Sequence, residues 1–212
     1  MNLPGFLLEV LGELLAPNAC AACDEPVRPR ILFCEACAST VLPAEERGAV
    51  FAYGGAIATA IARLKYRGRP DLAPRLAAAM LAVARAADVG GADADVVVPV
   101  PLHPRRLAER GYNQAALLAG PIAKRLRVPH APRALERVRD TPRQMELARA
   151  AREANVAGAF ACGVIVERRR VLLVDDVTTT GATLAACEKA LRARGAASVA
   201  TLALARKERS DA

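Results

Sequence analysis

The apolar run Val171-Leu-Leu-Val174 leads directly into two adjacent carboxylates, Asp175 and Asp176, and then into Val-Thr-Thr-Thr-Gly-Ala-Thr183. A short, β-branched, uninterrupted run of this kind reads as a strand buried on both faces, which is the habit of a parallel sheet. Asp175 to Gly181 reads as a loop, and Ala182 to Arg194 as a helix stopped by Gly195. The expected arrangement is therefore a parallel strand whose carboxyl end carries two acids beside a hydroxyl-rich turn into a helix. Ligands bind at that end of α/β sheets.

The residue types state what such a turn can hold. Its backbone N–H groups, the hydroxyls of Thr178, Thr179, Thr180 and Thr183, and the helix N-terminus at Ala182 all favour a phosphate. Gly181 lets the chain approach the anion with no Cβ in the way. Two carboxylates would repel a phosphate unless they face a group that needs acceptors, such as a ribose diol, or magnesium and its water shell. A 5-phosphorylated ribose carrying pyrophosphate and magnesium offers all of these together. The bland alternative is an acidic strand end that merely precedes a helix.

Four of the six cysteines form a second pattern, Cys20-x-x-Cys23 and Cys34-x-x-Cys37. Where thiols stay reduced, paired knuckles of this spacing favour tetrahedral zinc over a redox pair or a disulfide. Four thiolates leave no open position for water, so the zinc would be structural, and it would supply much of the folding energy of so short a segment. Cys162 and Cys187 stand apart and read as core cysteines.

The remaining chain alternates strands and helices. Ala49–Tyr53 reads as a strand, Gly55–Tyr66 and Leu72–Ala87 as helices, and Asp95–Val100 as a buried strand. His103–Gly111 is a strongly basic stretch containing Arg105, Arg106 and Arg110. Residues 113–127 read as a helix, Arg133–Thr141 contains a short strand, Arg143–Ala154 is a helix, and Ser198–Ala205 is a final strand. This alternation predicts an α/β fold, a mainly parallel sheet flanked by helices. Neither a G-x-G-x-x-G nor a G-x-x-x-x-G-K-[ST] loop occurs, which removes the main support for dinucleotide and P-loop readings. The expected domains are 1–45, an N-terminal helix and cysteine ribbon, and 46–212.

The net charge of +8 suits polyanionic partners, either phosphorylated small molecules or nucleic acid. With no tryptophan and only 3% aromatic residues, a surface built mainly from base-stacking platforms is disfavoured. Residues 3–15 carry an apolar helical stripe without a basic leader, which suggests a helix docked on its own protein, and no run is long enough to span a membrane. A cytoplasmic protein is expected.

The segment Val171–Thr183 resembles the phosphoribosyl pyrophosphate signature of type I phosphoribosyltransferases. Val98-Pro-Val-Pro-Leu-His103, Arg106 and Arg110-Gly-Tyr-Asn-Gln114 are similar to the ComF/GntX family, the competence-associated relatives of these enzymes. Leu64-Lys-Tyr66 with Gly68, Arg137 with Thr141 and Gln144, Arg152-x-x-Asn155 and the four-cysteine ribbon also match. The resemblance implies a type I phosphoribosyltransferase fold with a small N-terminal zinc ribbon. Thr178, Thr179, Thr180, Gly181, Ala182 and Thr183 would hold the 5-phosphate, and Asp175 and Asp176 the ribose hydroxyls. Pro101, Leu102 and His103 would meet pyrophosphate, and Arg106 and Arg110 would lie on a loop that closes over the site. It also implies magnesium-dependent phosphoribosyl transfer to an acceptor the sequence does not name, and a part in DNA uptake with competence proteins and single-stranded DNA as partners. The alternative is a non-catalytic module of the same fold, gated by its ligand or handling single strands. Lys65 and Tyr66 are either structural or line the site, and the sequence does not say which.

Overall fold

A computed structural model of the chain describes residues 18–46, 48–86, 93–138, 158–163 and 166–207. The stripe at residues 3–15 and the helix expected over 143–154 lie outside them. Four strands form one parallel sheet in the order β1-β6-β5-β2, with β1 Ala49–Ala52, β2 Val96–Pro99, β5 Arg170–Thr178 and β6 Ser198–Arg206. Two further strands, β3 Leu135–Arg137 and β4 Phe160–Cys162, pair antiparallel beside it.

The sheet is buried on both faces, and strand alternation divides the core. Val97, Leu172, Val174, Leu202 and Leu204 point to one face and pack with helices α2 (Gly55–Tyr66), α3 (Ala73–Ala86) and α5 (Gln114–Leu126). Val96, Val98, Val171 and Leu173 point to the other face, against α6 (Ala182–Ala193) and the β3–β4 pair. The long apolar side chains of α2, Ile57, Ile61 and Leu64, recur at helical spacing and are at most 1% exposed. Burial of that stripe, more than alanine's helix propensity, is what fixes α2 against the sheet.

The cysteine ribbon packs into the same core. Cys20 and Ala21 are completely buried and join the cluster that holds Ile57, Ile61 and Leu64. A helical turn, α1 (Glu35–Ala38), begins immediately after Cys34. At the start of α2, the Thr40 hydroxyl accepts from the Ala56 N–H at 3.0 Å and supplies the cap that Gly54 cannot. The approach is so close that a Cβ on Gly55 would lie 2.6 Å from the Thr40 carbonyl oxygen. Further along α2, buried Arg63 donates to the Ala21 carbonyl and pairs with Asp24. Arg75 of α3 donates to the Ala19 carbonyl at 2.7 Å.

Two sequence expectations change. The strand does not stop at Val174: β5 continues through Thr178, still paired to β6 with Asp175 opposite Ala203 and Thr178 opposite Arg206. The carboxylates are therefore strand residues, and the loop shortens to Thr179–Gly181. The basic stretch after β2 contains a helix, α4 (Pro104–Arg110). His103 caps it by accepting from the Arg105 N–H, Pro104 opens its first turn, and Gly111 ends it in the left-handed region at φ 81°. Strand β4 was not foreseen, because Phe160-Ala-Cys162 is too short to show alternation. Among the described residues no helix is long and apolar enough to cross a membrane.

Candidate functional site

The carboxyl ends of β2 and β5 lie side by side. Pro99 is in register with Val174, and the Val100 N–H donates to the Val174 carbonyl at 2.8 Å. The turn Pro101–Leu102–His103 therefore leaves the sheet next to Asp175 and Asp176. The Asn113 amide donates to the Val100 carbonyl at 3.0 Å, while its carbonyl oxygen caps α5 by accepting from the Ala115 N–H at 3.0 Å. One side chain thus ties the end of β2 to the helix that follows the basic segment.

Alternation separates the two acids. Leu172 and Val174 belong to the face of α2 and α5, Val171 and Leu173 to the face of α6, and the same period sends Asp176 to the first face and Asp175 to the second. The contacts agree. Asp176, 3% exposed, pairs with Lys65 of α2 through Oδ2 and accepts from Gln114 Nε2 of α5 at 3.3 Å through Oδ1. Asp175, 8% exposed, accepts from the Asp176 N–H at 2.8 Å. Its charge reaches Cys187 of α6, whose thiol is pushed well up by burial and then by Asp175.

The electrostatics follow from burial. Loss of water raises the Asp175 carboxyl well above its ordinary range, and the charge of Asp176 adds to it; Lys65 opposes the shift but does not cancel it. For Lys65, burial works against the ammonium, yet Asp176 and then Asp175 outweigh it and raise its pKa. A chain of polar contacts runs outward from there. Arg110 donates to Gln114 Oε1 at 2.6 Å, and its guanidinium lies 5.0 Å from the centroid of the Tyr66 ring, which is 73% exposed. The Tyr112 hydroxyl donates to the Leu64 carbonyl at 2.5 Å.

On the other side of the acids, β5 passes through buried Thr178 into the turn that starts α6. Gly181 stands at φ 78°, and among the described residues no atom beyond its chain neighbours lies within 4 Å of where a Cβ would be. The Ala182 N–H reaches the Thr180 hydroxyl at 3.4 Å. Arg206, at the end of β6, donates to the Thr179 carbonyl at 3.1 Å and pairs with Glu46 at 2.9 Å.

The structure brings Asp175, Asp176, Thr178–Thr183 and Pro101–His103 to one end of the sheet, with Arg110 linked to Asp176 through Gln114. Arg106 lies on α4, one turn before Arg110. Sequence reasoning assigned no role to Lys65, Gln114 or Tyr66 and overlooked Arg206. The signal for Lys65 was present: a lysine beside the apolar stripe, in the last turn of a helix that ends at the site.

The four cysteines meet at a second place. Their sulfurs all lie within 4.8 Å of one another, with Cys23 and Cys34 3.6 Å apart. An ion bound at about 2.3 Å to each of four tetrahedral sulfurs would set them about 3.8 Å apart, so the donor set fits one metal. The thiols are unevenly poised. Burial opposes ionisation of Cys20, but backbone N–H donors at Cys34, Cys23 and Ala22 win and lower its pKa to about 6. Burial and the Cys23 thiol push Cys37 up to about 11. Cys162 and Cys187 are buried, as expected.

The profile of the family described as "Phosphoribosyl transferase domain" matches residues 113–211. The DNA utilization protein YhgH of Escherichia coli K12 is 33% identical over 189 residues, covering 88% of this chain and 83% of that protein. The chain belongs to the ComF family. A shorter match joins it to Competence protein F of Haemophilus influenzae, 39% identical over 115 residues, 53% of this chain and 50% of that one. Among solved structures, the glutamine phosphoribosylpyrophosphate amidotransferase of B. subtilis complexed with ADP and GMP is 25% identical with a TM-score of 0.44. That alignment covers 67% of this chain and 30% of the amidotransferase. This ComF-family chain has the type I phosphoribosyltransferase fold, a parallel sheet flanked by helices, with four clustered cysteines preceding it.

Proposed function

We propose that this ComF-family protein binds phosphoribosyl pyrophosphate with magnesium at the carboxyl end of β5 and transfers the phosphoribosyl group to an acceptor. The observation that carries this reading is the single strand that delivers Asp175 and Asp176, both buried, directly beside the hydroxyl-rich turn into α6. The turn Thr178–Thr183 takes the 5-phosphate on its N–H groups and hydroxyls. Asp175 and Asp176 accept from the ribose hydroxyls, the turn Pro101–His103 offers the backbone N–H groups of Leu102 and His103 to pyrophosphate, and Arg106 and Arg110 meet its oxygens with forked donors. Magnesium, when bound with the ligand, neutralises charge on the departing pyrophosphate. In the transfer, the bond from C1 to pyrophosphate breaks, the acceptor bonds to C1 and gives up a proton. Arg106 and Arg110 stabilise the leaving charge.

In the same reading zinc occupies the four thiolates of Cys20, Cys23, Cys34 and Cys37 as a structural ion. The protein works in the cytoplasm, in DNA uptake alongside competence proteins; the names of its relatives and its net charge of +8 support that setting. Direct handling of single-stranded DNA is the second reading, favoured by the same charge. A steep fall of single-strand affinity with salt, unchanged by substitutions at the acidic pair, would support it.

Calorimetric titration of phosphoribosyl pyrophosphate into the metal-loaded protein, with and without magnesium, tests the main reading. Magnesium-dependent binding is expected, and so is its loss in Asp175→Asn/Asp176→Asn at an unchanged fold. Normal affinity in that double variant would sink the site assignment.

A further inference from the structure

A carboxylate with 3% exposure is costly unless its charge is met, and Asp176 is met from two helices. Lys65 of α2 occupies Oδ2 and Gln114 of α5 occupies Oδ1. Gln114 cannot turn its amide round without losing the 2.6 Å bond that Arg110 donates to its Oε1, so its NH2 group is committed to Asp176. Lys65 is itself largely buried, with 17% of its side chain exposed. The backbone on either side of it is fixed: Leu64 is fully buried and its carbonyl accepts from Tyr112, while Arg63 is bonded to the cysteine knuckle. The ammonium therefore has a defined origin and a defined target.

The remaining acceptor capacity of Asp176 determines what this pairing is for. Two carboxylate oxygens offer about four lone-pair directions; Gln114 donates to Oδ1 and Lys65 is ion-paired at Oδ2, so lone pairs on both oxygens stay uncommitted. A lysine that left Asp176 to reach an incoming anion would strand a nearly inaccessible charge on the sheet. We propose that Lys65 is a positioning residue for the ribose diol: it pairs with Asp176 and fixes its orientation, and acts on the ligand through that carboxylate rather than by touching phosphate. This rests on the reading of the acidic pair as the ribose site.

Two part-ligands separate the alternatives, since ribose 5-phosphate carries the diol without pyrophosphate and inorganic pyrophosphate carries no diol. Each is titrated, with magnesium, into the metal-loaded wild type, Lys65→Met, Lys65→Arg, Asp176→Asn and the Lys65→Met/Asp176→Asn double variant. Lys65→Met should bind ribose 5-phosphate about tenfold more weakly and pyrophosphate unchanged, and Lys65→Arg should recover most of the loss. In the Asp176→Asn background, Lys65→Met should add less than about twofold, because the two residues act as one unit. Lys65→Gln, which keeps a polar side chain but carries no charge, replaces Lys65→Met if that variant does not fold, with the same pattern expected. Weakened pyrophosphate binding with ribose 5-phosphate unaffected, or full additivity with Asp176→Asn, would overturn the proposal. So would undiminished binding of both probes by Lys65→Met. A wild type that binds neither ribose 5-phosphate nor phosphoribosyl pyrophosphate would defeat the ribose-site reading itself, and this inference with it.

Discussion

Asp175 is held where an acid is expensive. Burial first, then Asp176, lifts its carboxyl pKa well above the ordinary value, and Lys65 on α2 is the cation that opposes this while Cys187 faces it from α6. A group whose pKa is raised on folding stabilises the fold fully only below its unfolded pKa, about 4, and that contribution is lost as pH rises through the folded value. Asp175→Asn removes the cost without changing shape. It should melt higher than wild type at neutral pH by about 1 kcal/mol, roughly 3 °C, with the gap closing as pH falls toward 4. Thermal melts across pH check it, and a variant that melts lower at pH 8 would contradict it. Gly181 behaves differently. At φ 78° with open space around its missing Cβ, Gly181→Ala meets backbone strain alone and should cost about 1 kcal/mol in stability. If the turn holds a phosphate, the added methyl occupies the approach, and ligand affinity should fall by more than that strain accounts for.

At the scale of elements, α2 carries more than its length suggests. Its stripe of Ile57, Ile61 and Leu64 enters the core, Thr40 of the ribbon caps its start, and Arg63 and Lys65 in its last turn grip the cysteine knuckle and Asp176. Gly55→Ala should therefore be severe: the new Cβ would press on the Thr40 backbone as well as its side chain, and φ is already positive at 46°. A loss of about 3 kcal/mol, read as a drop of roughly 10 °C in Tm, is expected. The elements themselves were largely legible in the sequence. α2, α5, α6 and the buried strands announced themselves by period and by breakers such as Pro70 and Gly195. What escaped has a common cause. The end of β5 reads as loop because its two acids are poor strand formers and the threonines run straight into Gly181, yet pairing with β6 carries the ladder through Thr178. α4 was hidden by its charge, although its His103-Pro104 start and Gly111 stop are ordinary helix signals. The adjacency of the two acids was plain, whereas their division between opposite faces needed the strand to continue. The partners Lys65 and Gln114 come from elements distant in sequence, which spacing alone does not join.

Across the whole molecule, the four-cysteine cluster and the acidic site are gripped by the same last turn of α2. Holding the knuckle closed fixes the Ala21 carbonyl and Asp24, these hold Arg63, and Arg63 holds the turn from which Lys65 reaches Asp176. Coupling through such a chain must be reciprocal in binding free energy. Stripping metal from the four thiolates, by chelation or by Cys34→Ser, should lower Tm by roughly 10 °C. It should also weaken phosphoribosyl pyrophosphate by about tenfold, within the usual range of coupling between sites. In return, saturating ligand should tighten metal binding, measured by equilibrium competition with a chelator, by the same factor. The two measurements check each other: calorimetry with and without metal gives one side of the cycle, and a metal-indicator dye with and without ligand gives the other. Equal factors above one would establish that the two sites are coupled. Ligand affinity indifferent to metal, in a protein whose melt shows the ribbon has come apart, would show that α2 keeps its last turn without the knuckle. Arg63→Met then localises the effect, since it cuts the α2 side of the clamp while leaving all four sulfurs in place; it should retain metal, lose the coupling, and bind ligand as weakly as the stripped wild type.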